Sequence, residues 1–134
     1  MKTIVAVIEK ASDGGYGIYT EDVDGGFGSG LTEQEAKDDF LAVVEEQAHY
    51  YKEKNGTYPE WYAEGYEVVF RYDFSGFFQA FPFFNVSRFA ETVGINPSLM
   101  RKYKEGLAFA SERQKAVIQE GLNDIIDKMR LVRF

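Results

Sequence analysis

The sequence predicts an α+β protein in two parts: an acidic β-β-β-α-β domain over residues 1–74, then a helical, helix-turn-helix domain over residues 75–134. Three observations predict it. Strand-like β-branched and alternating segments lie only in the first part, capped helical segments dominate the second, and the charge reverses between them. The 134 residues carry a net charge of −7. Residues 1–74 hold 16 Asp and Glu against 6 Lys and Arg, a net of −10, and residues 75–134 hold 6 against 9, a net of +3.

Thr3-Ile-Val-Ala-Val-Ile-Glu9 is an apolar β-branched run of strand length. Ser12-Asp13-Gly14-Gly15 signals a turn, and Tyr16-Gly17-Ile18-Tyr19-Thr20 is the returning strand of a hairpin. A third short strand falls near Val23 or Phe27, loosened by Gly25, Gly26, Gly28 and Gly30. Thr32-x-x-Glu35 is a capping box that opens a helix, with Ala36, Phe40, Val43, Val44, Gln47, Ala48 and Tyr51 on one face and Asn55-Gly56 at its end. Pro59 interrupts the connection, and Tyr66–Tyr72 alternates as a fourth strand. In the second part Ser75 caps a short helix stopped by Pro82. Asn85 caps Val86–Val93, which ends at Gly94, and Asn96 caps a helix with Pro97 at its first position and Gly106 at its close. Ser111-x-x-Gln114 opens a longer helix with apolar positions Val117, Ile118, Leu122, Ile125, Ile126 and Met129; residues 129–134 fit either its extension or a short strand. The junction between the parts falls near Asp73–Gly76.

Composition narrows the chemistry. At 45% hydrophobic and 28% charged, the chain folds rather than staying disordered. The absence of cysteine excludes disulfides, thiol catalysis and thiolate metal sites, and a single histidine, His49, leaves little for zinc or a serine triad. No apolar run approaches the ~20 residues of a membrane span, and residues 1–20 lack a signal peptide's layout, so a cytoplasmic setting without membrane contact is expected. The glycine run Gly25–Gly30 has neither the P-loop ending nor the dinucleotide spacing. Asp22, Asp24 and Glu33 match positions 1, 3 and 12 of a calcium loop, but Phe27 occupies the position that must be glycine. No cofactor or metal is therefore expected. His49 reads as a surface or interface residue. Of the twelve aromatics between Tyr58 and Phe84, half or more are expected in the core.

Residues 86–105 carry the most information. A helix-turn-helix needs apolar residues at set places, a small residue where its helices cross and a glycine in the turn. Phe89, Val93, Ile95, Met100 and Tyr103 fill the apolar places, Ala90 is the small residue and Gly94 the turn. Asn96, Ser98, Arg101 and Lys102 then lie on the outward face of the second helix, which enters the major groove of double-stranded DNA in such proteins. Arg101 suits guanine O6 and N7, and Asn96 suits adenine or a phosphate. Ser87, Arg88, Lys104, Arg113 and Lys115 suit phosphate contacts, which position without reading sequence. One unit with so few cations binds weakly, so a homodimer or higher homo-oligomer over two half-sites is expected.

Together the parts resemble the HicB family of antitoxins. In the first domain the resemblance rests on Ile8-Glu9, Tyr16-Gly17, Asp22, Gly25 and Gly30-Leu31-Thr32 with Glu35-Ala36. In the second it rests on Asn85-Val86-Ser87, Phe89-Ala90, Gly94-Ile95-Asn96-Pro97-Ser98 and Tyr103-Lys104-x-Gly106. The resemblance implies a partly degraded ribonuclease-H-like first domain that holds a small basic HicA-type ribonuclease toxin, and a second domain that represses the chain's own operon. The acidity of residues 1–74 agrees with a basic partner. The chain departs from the family where Asp24-Gly25-Gly26 stands in place of Pro-Gly-Cys. An orphan regulator without a toxin, its first domain sensing a ligand or dimerising, is the alternative. A ribonuclease-H site gathers carboxylates on two metals, the first from mid-strand. Val5, Ala6 and Val7 occupy that place, with only Glu9 at the strand's end, so no enzyme is expected.

Overall fold

A computed structural model describes residues 1–10 and 14–134, which divide into two compact units, Met1–Gly76 and Phe77–Phe134. The Ser12-Asp13 portion of the expected turn lies outside the described residues. The architecture is α+β: a β-β-β-α-β first unit with an open sheet, followed by a multi-helix second unit. Among the described residues no helix is long and apolar enough to cross a membrane.

In the first unit β1 (Lys2–Lys10), β2 (Tyr16–Tyr19), β3 (Phe27–Gly30) and β4 (Tyr66–Tyr72) lie in the order β3-β2-β1-β4. The first three form an antiparallel meander, and β4 runs parallel to β1. A parallel neighbour needs a crossover, supplied by the segment holding α1 (Glu33–Asn55) and the one-turn α2 (Glu60–Ala63). Ile4, Ala6 and Ile8 of β1 alternate into the core with Ile18, against a stripe of Ala36, Phe40, Val44 and Ala48 at four-residue spacing on α1. Burial of each large side chain here contributes about 1.5–3 kcal/mol. The opposite face of the sheet carries Val5, Val7, Tyr19, Phe27 and Val69, with Phe27 55% exposed.

The third strand is Phe27–Gly30, not the Val23 alternative; Val23 is buried at a tight turn whose carbonyl accepts from Gly26 N–H at 3.0 Å. Its glycines do more than loosen it. A Cβ on Gly28 would stand 2.6 Å from Phe40 Cα, and one on Gly30 2.7 Å from Ala36 N, so α1 lies directly on the strand backbone. Thr32 Oγ1 accepts from Glu35 N–H as expected, but the Glu35 carboxylate accepts from Leu31 N–H, one residue before the usual capping-box donor. At 23 residues α1 is about 34 Å long, longer than the short strands it covers, so Tyr51 near its end is exposed rather than core.

An aromatic cluster packs beside that overhang. Pro59, expected to interrupt the chain, instead starts α2 with φ −63°. Glu45 of α1 accepts from Tyr62 Oη at 2.9 Å and Tyr66 Oη at 2.6 Å, and the His49 and Tyr58 rings meet edge to face. The hydrogen bond from Tyr66, then that from Tyr62 and the nearby His49, hold the Glu45 carboxyl below its usual range against the opposing effect of burial. Burial raises the pKa of Glu33, but hydrogen bonds from Tyr72 and Lys37 more than offset it. Burial and the hydrogen bond to Glu45 push the Tyr66 phenol well above its ordinary value.

In the second unit α4 (Val86–Val93), α5 (Pro97–Glu105) and α6 (Glu112–Arg130) follow α3 (Phe74–Ala80), which spans the division between the units. Asp73, not Ser75, caps α3: its Oδ1 accepts from Gly76 N–H at 2.6 Å. Phe78, Phe89, Ala90, Val93, Ile95, Met100, Tyr103 and Ile118 are buried. Phe77 stacks on Phe84 and Phe89 and meets Phe78 edge to face. Of the twelve aromatics from Tyr58 to Phe84 Phe78 is buried, Phe83 is exposed and the other ten are partly buried, with Trp61, Tyr66, Phe70 and Tyr72 packed against the edge of the first unit's core, so fewer than the expected half or more are core residues. The expected apolar face of α6 is also only partly used. Ile118 is buried, whereas Val117, Ile126 and Met129 are exposed. The helix runs to Arg130 and no strand follows.

Gly28→Ala is expected to lower the unfolding free energy by about 2–3 kcal/mol, the cost of overpacking a closed contact; urea unfolding measures it. Glu45 titrates lower in the folded than in the unfolded state, so the unfolded chain takes up the proton first and this contribution is lost as pH falls below 4.5. Tyr62→Phe with Tyr66→Phe should therefore cost on the order of 1 kcal/mol per hydrogen bond at pH 7, and the gap from the parent should shrink as pH falls below 4.5. A gap independent of pH would remove the carboxylate from the account.

Candidate nucleic-acid interface

The two-helix corner over residues 86–105 is built from local signals. Asn85 Oδ1 accepts from Arg88 N–H at 3.0 Å and starts α4. Gly94 ends it in the left-handed region, φ 84°, which a side chain disfavours, and Ile95 N–H returns to Ala90 O at 2.8 Å. Asn96 Oδ1 accepts from Ser98 and Leu99 N–H, and Pro97 takes the helical position where no N–H is needed. Gly106 closes α5 with Leu107 N–H bonded to Lys102 O. The seven residues assigned to the interior and the turn fall accordingly. Phe89, Ala90, Val93, Ile95, Met100 and Tyr103 are buried, and Gly94 turns the chain. The corner rests on α6, where Gly121 leaves room for Val93; a Cβ there would stand 2.6 Å from Val93 Cβ.

The structure brings the expected outward residues onto one surface. Asn96, Ser98, Arg101, Lys102 and Lys104 are exposed on α5, with exposed Arg88 and half-buried Ser87 at the start of α4. Helical spacing sets Ser98, Arg101 and Lys102 opposite Met100 and Tyr103, and puts Lys104 on the flank. Arg101 is held rather than loose. Its Nη1 donates to Ser87 Oγ at 2.8 Å and its Nη2 to Ser98 Oγ at 3.1 Å, fixing the plane of a side chain that otherwise samples many rotamers. Ser87 therefore orients Arg101 across the two helices. Nothing in the sequence marks that pairing, because fourteen residues separate them and only the corner brings them together.

Two details qualify the sequence expectation. The Asn96 side-chain oxygen Oδ1 is engaged in capping, so of its side-chain amide only Nδ2 could donate outward. Lys115 is paired with Glu112 at 3.1 Å, so its charge is partly spent within α6, while Arg113 is exposed on the same turn. A residue the sequence reading passed over, Glu105, shares the outward face of α5 and limits its positive field at the C-terminal end. The hydrogen-bonding groups Asn96 and Ser98 thus lie at the N-terminus of α5, where the helix dipole is positive, and the cations Arg101, Lys102 and Lys104 lie at its middle and last turn. Among the described residues no three His, Asp or Glu side chains come together as a metal site. Comparison with protein-family models, with curated proteins and with solved structures finds no match to the chain.

Proposed function

We infer that the chain is a HicB-like antitoxin and transcriptional autoregulator, with residues 86–105 acting as a helix-turn-helix on operator DNA. The observation that carries this reading is the α4–α5 corner itself. Its apolar residues point inward, while Ser98, Arg101 and Lys102 share the outward face of a capped helix. Arg101, oriented by Ser87 and Ser98, reads a guanine edge through its remaining donors, and a bidentate pair of that kind discriminates by about 1–3 kcal/mol. Lys102, Lys104, Arg88 and Arg113 take phosphates, and the amide of Asn96 takes an adenine edge or a phosphate at the N-terminus of α5.

In this reading the first unit is the partly degraded ribonuclease-H-like domain and holds a small basic HicA-type toxin. Its β-β-β-α-β order and its acidity support that assignment. So does the sheet face opposite α1, where exposed Phe27, Tyr19 and Val69 supply apolar area and Glu9, Glu21 and Glu67 supply negative charge. The reading assigns it no catalysis, because Val5, Ala6 and Val7 hold the middle of β1. The toxin is held inactive against that surface, independently of the DNA-reading helix.

Fluorescence anisotropy with the duplex upstream of the chain's own reading frame tests the DNA assignment. Arg101→Ala with Lys102→Ala should abolish specific binding and keep the folded circular dichroism spectrum, the melt falling only slightly with the exposed Arg101 bonds to Ser87 and Ser98. The logarithm of the parent's affinity should fall with log salt at about −0.9 per neutralised phosphate. Unchanged binding by the double variant, or a flat salt response, would refute the recognition-helix assignment.

A further inference from the structure

We propose that Ser87 of α4 is a specificity-determining residue, which fixes the plane of Arg101 and so selects guanine at one position of the bound duplex. The inference rests on the reading of α5 as the helix that enters DNA. Ser87 is the second residue of α4, and Ser98 is the second residue of α5. Arg101 donates from Nη1 to Ser87 Oγ at 2.8 Å and from Nη2 to Ser98 Oγ at 3.1 Å. Among the described residues it is the one cation of α4 and α5 whose charged group is hydrogen-bonded within the protein.

The two hydroxyls contribute differently. Ser98 lies three residues before Arg101 on the same helix, a spacing that any helix brings together. That bond alone holds one nitrogen and leaves the guanidinium able to swing about it. Ser87 comes from the other helix, is half-buried, and takes the second nitrogen. Two bonds through two nitrogens fix the plane of a planar group. A serine suits this task because its hydroxyl is neutral. Arg101 keeps its charge and, with two of its five N–H donors engaged, three for a base. Guanine O6 and N7 present two adjacent acceptors in the major groove, an edge that no other base offers. A fixed plane turns an attraction for any phosphate into a preference for that edge. The sequence alone suits Ser87 to a phosphate contact, and the two roles predict different losses. Removing a phosphate contact weakens every duplex alike, whereas removing a positioning residue relaxes preference at one base pair.

Competitive selection of the full chain on a pool of randomised duplexes separates these roles, with Arg101→Ala marking the base pair that Arg101 reads. Ser87→Ala should reduce the preference for guanine at that pair about fivefold, the worth of one net hydrogen bond. Preferences at other positions and the salt dependence should not change. Ser87→Thr, which keeps an Oγ, should restore the preference. Heteronuclear NMR of the chain without DNA should resolve the two Nη groups of Arg101 in the parent and merge them in Ser87→Ala. A Ser87→Ala chain that keeps the full guanine preference, or that loses affinity equally for all duplexes, would overturn the proposal and leave the DNA reading standing. So would a folded Ser87→Thr that behaves as Ser87→Ala, or Nη groups already merged in the parent. A parent that enriches no sequence, or an Arg101→Ala chain with the parent's preferences, would refute the DNA reading itself and this proposal with it.

Discussion

Within each unit, a helix packs closest where a side chain is missing. In the first, α1 lies on β3 because Gly28 and Gly30 present bare backbone beneath Phe40 and Ala36. In the second, α6 reaches Val93 of α4 because Gly121 does the same. These contacts set the distance between layers, and the distance sets which side chains are interior. With α1 close to the sheet, the Ala36, Phe40, Val44 stripe meets Ile4, Ile8 and Ile18 in one buried cluster. With α6 close to α4, the two-helix corner has a floor, and α5 is left with one face to expose.

Polar chemistry is arranged around that packing rather than inside it. Among the described residues no charged side chain is buried. The carboxylates that matter structurally, Glu45 and Glu33, sit at the margins of the first unit and are satisfied by tyrosine hydroxyls. The aromatic richness of residues 58–84 therefore serves two ends: phenols tie α2 and β4 to the overhanging α1 in one unit, and phenylalanines stack beside α4 in the other. Half-buried aromatic clusters of this kind give area and directional contact where a chain this small cannot enclose every ring.

Much of the architecture was legible because its signals are local. Caps at Thr32, Asn85, Asn96 and Ser111, stops at Gly56, Gly94 and Gly106, and alternation in β1 each act within a few residues, and each element appears where those signals put it. The seven residues of the two-helix corner fell into place for the same reason. What stayed hidden depends on distant partners. The Ser87–Arg101 bond, the diversion of the Glu35 carboxylate to Leu31 and the use of glycines in β3 as helix seats all arise from tertiary approach. Apolar periodicity on α6 reported an amphipathic helix correctly, but periodicity does not distinguish a face buried within the unit from one left exposed, as Ile126 and Met129 are. Pro59 misled because a residue that breaks a helix from within also begins one.

The account turns on which surface meets DNA. Amide hydrogen exchange, followed by mass spectrometry with and without the duplex upstream of the chain's own reading frame, addresses that directly. The account predicts slowed exchange concentrated in the first turns of α4 and α5, with the sheet of the acidic first unit unchanged. Protection confined to the first unit, or no protection at saturating duplex, would contradict it.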